Sequence, residues 1–545
     1  MGDWQLKENK SSLKSHIWLV ISFLFIIVGI NFLLPLLSLL GRSVEYEPFY
    51  KGFVEVLGQS RTQIAFLNSL KTSLLASLLS ITCALFFSYI VTFHTKGIVK
   101  KAFSFLAIIP MLVPSITHGI IIVYLFGKVG MITRIIGVQL PIYGQLGIII
   151  GSFFYSFPIA FLILSQAFTN LDGRLFENAT ILGVSPFRRF FDIVLPIMKY
   201  AIFSAFAVCF TMIFTDYGIP LSVGGTYPIL PILFYESVIG KLDFARGAIY
   251  SILILVPAAI VYFLEVLYFN KKQIGSSRDH KSVNLGKFNI IQKLTFIIFT
   301  IIILVPVTMT VLVPFFTNWP YDKSLTFAHF SKMIQTGELV KLIRNSVIMA
   351  LGTSIIGTIL TSLAGYVYIR TKDYGLLKKV THGLYMLTLA IPGLALGLAY
   401  AMFFKGTFIY NTLFIMVLVN VFHFFGSPYM MVLSHFKLLN SSLEEICKTL
   451  GGNIFNIIFD VIIPNSKRVL VDVFVYLFIN TMITISAISL LYNSQTITLS
   501  MKITSLNNQG MRESALAVSL VILIINIVFR VIQSFKFDKS SLATK

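Results

Sequence analysis

Charged side chains are scarce in this chain. Asp, Glu, Lys and Arg make up 12% of its 545 residues, and only 22 of them are acidic. A water-soluble fold of this size needs more charge than that to cover its surface. Here 56% of residues are apolar and the mean hydropathy is +0.86, so the chain reads as an all-α polytopic membrane protein. Cysteine is scarcer still. Cys83, Cys209 and Cys447 stand far apart without metal-ligand spacing, which excludes a disulfide framework and a zinc site and leaves small apolar filler. No GxxxxGK[ST] phosphate loop occurs. The Gly-rich piece VGGTYP, Val223 to Pro228, lacks the Lys-Ser/Thr that would hold phosphate and magnesium, so the chain is not expected to hydrolyse ATP. GxSxG, HExxH and clustered His/Asp/Glu are missing too. His118, His423 and His435 read as hydrogen-bond donors inside membrane helices, and no catalytic, cofactor-binding or metal-binding residue is expected.

What is abundant is apolar sequence in runs of bilayer length, about 20 residues at 1.5 Å each. Twelve spans are expected, at 17–40, 64–93, 103–127, 143–167, 198–219, 246–268, 292–317, 345–369, 381–404, 410–435, 467–492 and 514–535. The first has basic flanks like a signal peptide. It is too long for one and lacks a small-residue cleavage site, so it is expected to stay as a membrane helix.

The formal net charge of +21 follows the spans. With both termini in the cytoplasm, about 27 of the 43 Lys and Arg fall on the cytoplasmic side, among them Lys96, Lys100, Lys101, Arg188, Arg189, Lys271, Lys272, Lys378 and Lys379. This bias sets orientation in a cell membrane and needs no nucleic acid to explain it. Few ionisable residues fall inside spans. Glu265, Lys199 and Arg530 lie near cytoplasmic ends, where they can snorkel. Asp216, in FTDYGIPLSVGG, lies near the outer end of the fifth span. With Gly224 and Gly225 it is the candidate for a gate or for docking of an outer partner, beside the plain reading of a wetted helix end.

The chain repeats itself. RTQIAFLNSLKTSLLASLLS from Arg61 parallels LVKLIRNSVIMALGTSIIGT from Leu339, aligning Asn68-Ser69 with Asn345-Ser346. Downstream Pro114 pairs with Pro392, Gly119 with Gly397 and Pro158 with Pro428. A repeat this long implies duplication of a whole module. Six spans per module is an even number, so the halves are parallel repeats. The polar, basic stretch 270–292 reads as a tether, and the expected modules are 1–280 and 281–545.

The most informative repeat is polar. ENATILGVSPFRRFFDIVLP, Glu177 to Pro196, returns 268 positions later as EICKTLGGNIFNIIFDVIIP, Glu445 to Pro464. In both, Glu lies six residues before Gly (Gly183, Gly451), Pro lies thirteen after it, and Phe191-Asp192 matches Phe459-Asp460. The Glu is expected to open a short helix, the Gly to turn the chain and the Pro to end the amphipathic piece that follows. A single copy would pass for a plain interfacial helix; two in register do not.

These loops resemble the EAA loop of type I binding-protein-dependent ABC importer permeases, with Asn178-Ala179 and Ile446-Cys447 in place of the paired alanines. The resemblance covers roughly 60 to 535 and implies a fused double permease whose coupling loops, carried by Glu177, Ala179, Gly183, Phe191, Pro196, Glu445, Gly451, Phe459 and Pro464, dock two copies of a separate ATPase subunit. It further implies an extracytoplasmic solute-binding protein delivering a small polar or anionic solute. The segment Phe214 to Ala248 is similar to that of the ferric iron and 2-aminoethylphosphonate permeases, in a subgroup that also includes thiamine. Two other classes fit the layout less well. A major facilitator carrier shares the six-plus-six plan, but its basic Gly/Asp loop is not visible in HTKGIVKKA. The other is a membrane scaffold that moves no solute.

Overall fold

The computed structural model describes residues 20–45, 50–172, 174, 178–179, 181–269, 290–370 and 375–538. Glu177 and the tether at 270–289, with the module boundary near 280, lie outside the described residues.

Apolar runs of bilayer length become helices because every backbone group in hydrocarbon has to find its partner within the segment. Among the described residues, nine helices are long and apolar enough to cross a membrane: Val20–Ser43, Ser60–His94, Ser115–Ile136, Ile142–Thr169, Arg189–Thr215, Phe244–Glu265, Phe296–Phe315, Glu338–Arg370 and Arg512–Ser534. Four of the twelve expected spans differ. The stretch 103–127 is broken at 109–114 into Gly97–Ile108 and Ser115–Phe126, where Val113 and Pro114 stand in extended conformation. The stretch 381–404 is split into Gly375–Leu387 and Gly393–Phe403, because Pro392 stands in an extended conformation between them. The stretch 410–435 is Leu413–His423 and Gly426–Leu438, bent by 53°. The stretch 467–492 falls on Ile463–Ile483, whose Lys467, Arg468 and Asp472 dilute its apolar run. The count is nine, or ten if the bent pair is one span. Strand structure among the described residues is one antiparallel pair, Phe316–Asn318 with Asp322–Leu325.

The chain forms two compact units, so a cut near 280 does not separate them. One comprises 1–45, 340–499 and 524–545. In it the Tyr400 hydroxyl donates to the Asn31 carbonyl of the first helix, and Phe478 stacks on Phe529 at 3.7 Å. The other comprises 46–339 and 500–523. Its core is aromatic: the Phe87 ring lies 5.9, 5.7 and 5.3 Å from those of Phe157, Phe161 and Phe296. The seventh expected span therefore packs with residues of the first module, and the first with residues of the second, because their apolar faces find cores there.

The aligned Asn-Ser dyads do the same job in each unit. The Asn68 amide donates to the Pro228 carbonyl at 3.0 Å and Ser69 Oγ accepts from Leu230 N–H at 2.9 Å. The Asn345 amide donates to the carbonyls of Gln495 and Ile497 at 2.8 and 3.0 Å, and Ser346 Oγ accepts from Leu499 N–H at 2.8 Å. Each dyad thus satisfies the backbone where a chain re-enters as a short helix, Leu230–Tyr235 or Leu499–Asn508.

The aligned glycines mark close approaches. A Cβ on Gly119 would sit 2.6 Å from Ser222 Cβ, and one on Gly397 would sit 2.6 Å from the Ala487 carbonyl oxygen. Around Gly383 there is open space. Gly397→Ala is expected to cost about 1–3 kcal/mol through overpacking against backbone that cannot yield. Gly383→Ala is expected to be neutral or stabilising. Thermal unfolding of the two purified variants in detergent checks this; equal midpoints would remove the close approach from the account.

Candidate functional site

The two repeated loops fold alike from Asn178 and Ile446 onward, although their sequences share few residues. In the second, a helix Ser442–Thr449 carries Glu444 and Glu445 in its first turn, where their charge complements the exposed amides. It ends when Gly451 takes φ +84°, a left-handed conformation that costs glycine nothing. Gly452 N–H then reaches back to the Cys447 carbonyl at 2.9 Å, and Leu450 N–H bonds Ile446 at 3.0 Å. In the first, Gly183 takes φ +68°, Val184 N–H reaches the Ala179 carbonyl at 2.9 Å and Leu182 N–H bonds Asn178 at 3.0 Å. Both are Schellman-type helix stops in the same register. Ala179 and Cys447 both supply the carbonyl that takes the returning N–H, and both pack inward, Ala179 buried and Cys447 against the core.

The next residue caps a second helix. Asn453 Oδ1 accepts from Phe455 and Asn456 N–H at 2.9 and 3.1 Å; Ser185 Oγ, at the matching position, accepts from Arg188 N–H at 3.4 Å. The short helices Pro186–Arg188 and Ile454–Asn456 widen into π-helical turns, Arg189–Val194 and Ile457–Ile462. Pro196 and Pro464 then occupy the second position of Leu195–Thr215 and Ile463–Ile483. They were expected to end the amphipathic piece. Instead they stand at the junction from wide turn to α-helix, where the hydrogen-bond ladder is already shifted and a missing N–H is tolerated.

One face of each loop is anchored and the other bare. Phe190 and Val194, and Ile457 and Ile462, are buried. Leu182, Phe187 and Phe191 in the first loop, and Leu450, Phe455 and Phe459 at the same positions in the second, are 44–82% exposed. The Phe187 and Phe191 rings lie 4.5 Å apart. Of these six, sequence reasoning had singled out Phe191 and Phe459. The other four were visible as matched apolar residues in the same alignment. Glu445 is exposed, whereas its neighbour Glu444, which sequence reasoning passed over, is buried.

Asp216 is not a wetted helix end. It is 9% exposed, accepts from Ser115 Oγ at 2.5 Å and caps the turn Gly218–Val223 by accepting from Ile219 N–H at 3.0 Å. Its two oxygens tie the end of one helix to the start of another beyond Pro114. Gly224 is buried against the Pro220 carbonyl, and Gly225 takes φ +58°. Glu265, expected to snorkel, accepts from Ser204 Oγ at 2.5 Å.

The profile of the family described as "Binding-protein-dependent transport system inner membrane component" matches residues 76–271 and again 357–535. A ferric transport system permease protein, FbpB, of Actinobacillus pleuropneumoniae is 24% identical over 466 residues, covering 81% of this chain and 66% of that protein. A putative ferric transport system permease protein, FbpB 1, of Haemophilus influenzae is 23% identical, covering 88% and 79%. A probable sulfate transport system permease protein, cysT, of Prototheca wickerhamii is 24% identical, covering 43% of this chain and 93% of its own length.

A side chain with a Cβ branch at position 451 opposes the left-handed turn, whereas Asn tolerates it. Gly451→Val is expected to speed hydrogen exchange of the Leu450 and Gly452 amides about tenfold, and Gly451→Asn much less. Equal exchange in the two variants would mean that the turn adapts at no cost.

Proposed function

The chain belongs to the family of binding-protein-dependent transport system inner membrane components, and from that membership we propose that its loops 177–196 and 445–464 are the docking sites for the ATP-binding subunit of an importer. The observation that carries this is the pair of matched apolar knobs, Leu182/Phe187/Phe191 and Leu450/Phe455/Phe459, held bare on rigidly terminated turns. Exposed aromatics on a fixed backbone are what a partner's cleft accepts at small loss of conformational freedom. Glu445 beside the knob, and Glu177 at the same register, add a charge that fixes orientation.

In this reading the chain is a multi-pass permease of two repeated modules, 1–280 and 281–545, with both termini in the cytoplasm. It supplies the path and a separate subunit supplies ATP hydrolysis. An extracytoplasmic binding protein delivers the solute. Ferric iron is the solute we assign, supported by the ferric permeases that align across both halves; the sulfate relative, matched over 93% of its own length, aligns with 43% of this chain at the same identity. 2-Aminoethylphosphonate and thiamine are the competing outcomes of an uptake assay with each labelled solute.

The direct test is purification of a tagged chain in mild detergent and identification of what accompanies it. One ATP-binding subunit is expected at about two copies, as one per loop requires. Phe187→Glu with Phe455→Glu is expected to lower its recovery about thirtyfold or more, because each loop loses a buried aromatic worth about 2 kcal/mol or more. A well-folded chain that brings down no ATPase in several detergents would sink this reading in favour of a gradient-driven carrier. Asp216→Asn keeps one of two acceptor oxygens; it is expected to slow uptake while leaving ATPase recovery unchanged. Unaltered transport kinetics would remove Asp216 from the outer gate.

A further inference from the structure

The second loop carries a pair of adjacent glutamates, and the structure gives them opposite duties. Glu445 faces out. Glu444 turns inward, 6% exposed, and its carboxylate lies 2.6 Å from the guanidinium of Arg370. The Tyr366 hydroxyl donates to the other carboxylate oxygen at 3.4 Å. Arg370 is the last residue of the 33-residue helix Glu338–Arg370, and Glu444 lies in the first turn of Ser442–Thr449. Each charge therefore complements the dipole of its own helix as well as its partner. The pair joins the end of a full-length span to the helix that leads into Gly451 and the apolar knob. Around it, Tyr366, Ile369 and Cys447 pack on a core of Val432, Phe436, Ile457, Ile462, Val473 and Leu477, which shields Glu444, while the Arg370 side chain keeps 19% of its surface exposed.

The first half is built differently at the same place. The repeat that aligns Asn68 with Asn345 puts Tyr89 where Tyr366 stands and Phe93 where Arg370 stands, and the loop repeat puts Phe176 where Glu444 stands. Phe176 lies outside the described residues. Tyr89 meets Phe190 and Phe168 edge-on at 5.5 and 5.8 Å, and Phe93 meets Phe168 at 5.6 Å. Edge-to-face rings hold over a broad range of offsets at about 1 kcal/mol each, and so permit sliding. A buried ion pair does not, because separation leaves two desolvated charges without partners.

The geometry points to Arg370 and Glu444 as a positioning pair that makes the second loop the stiff arm of the two, so that movement of a docked ATPase is passed to the membrane helices chiefly through Glu338–Arg370. This rests on the reading of the loops as docking sites. It adds a division of labour: the first loop, on its aromatic bearing, follows, while the second drives. Arg370 and Glu444 touch neither solute nor nucleotide, and act through the loop they hold.

The test is uptake per ATP hydrolysed by the reconstituted complex of the full chain with its ATPase and binding protein. Arg370→Gln and Glu444→Gln are each expected to lower that ratio about tenfold while ATPase recovery stays within about twofold, since the docking knob is left in place. Arg370→Lys, which keeps the cation at the helix C-terminus and within reach of Glu444, is expected to retain most of the ratio, which a site that needed only the shape of the guanidinium for folding would not allow. Phe93→Leu is expected to change the ratio less than about twofold. Hydrogen exchange over 442–456 in the permease alone gives a second readout, faster in the two Gln variants and near the wild-type rate in Arg370→Lys. An unaltered ratio in Arg370→Gln, an equal loss in Phe93→Leu or a loss in Arg370→Lys as large as in Arg370→Gln overturns the positioning role alone. A wild-type chain that binds no ATPase overturns the docking reading beneath it.

Discussion

A helix that breaks inside a bilayer frees backbone groups that have no water to turn to, and this chain breaks its helices repeatedly. Much of the architecture is an answer to that constraint. The Asn-Ser dyads are the clearest case. An amide and a hydroxyl from one continuous helix reach the carbonyl and N–H groups of a chain re-entering beside it, at Pro228 and Leu230 in one unit and at Gln495, Ile497 and Leu499 in the other. Asp216 does related work for the turn after Thr215. These polar residues are placed where the ladder stops. Where helices meet without such help, Gly119 and Gly397 let one backbone lie against another.

The same economy shapes the two loops. Gly183 and Gly451 end their helices in the left-handed conformation, the returning N–H groups of Val184 and Gly452 satisfy carbonyls left open, and Ser185 or Asn453 starts the next turn. With these helix ends tied off, the Leu and Phe side chains on the outer face are left exposed. Their exposure follows from a fold that had other residues for its core.

Much of this was legible in the sequence because the chain states it twice. The dyads, the proline breaks and the loop register could be read by aligning one half on the other, and the bonds made by Asn68 and Asn345 bear the alignment out. Three things were hidden. The twelve-span count assumed that apolar length makes a single helix, and Pro392 and the bend before Gly426 divide such lengths. Glu444 and Glu445 differ only in direction: neighbours on a helix point about 100° apart, and which of them meets the core depends on where Arg370 ends its own helix. Asp216 looked exposed because Ser115, its partner, is a hundred residues away in sequence and adjacent only after Pro114 has turned the chain.

Both repeats lie in one polypeptide, and this is what lets Arg370 and Glu444 stand in one half while Phe93 and Phe176 stand at the matching positions of the other. A transporter assembled from two identical chains has to use every substitution twice, so a charge placed in one loop appears in both, and a driver cannot be distinguished from a follower. Fusion removes that obligation. Once the two copies are joined, each mutation falls on one side, the ratio of the two arms is fixed at one to one by translation, and a symmetric ancestor can specialise its halves without a second gene.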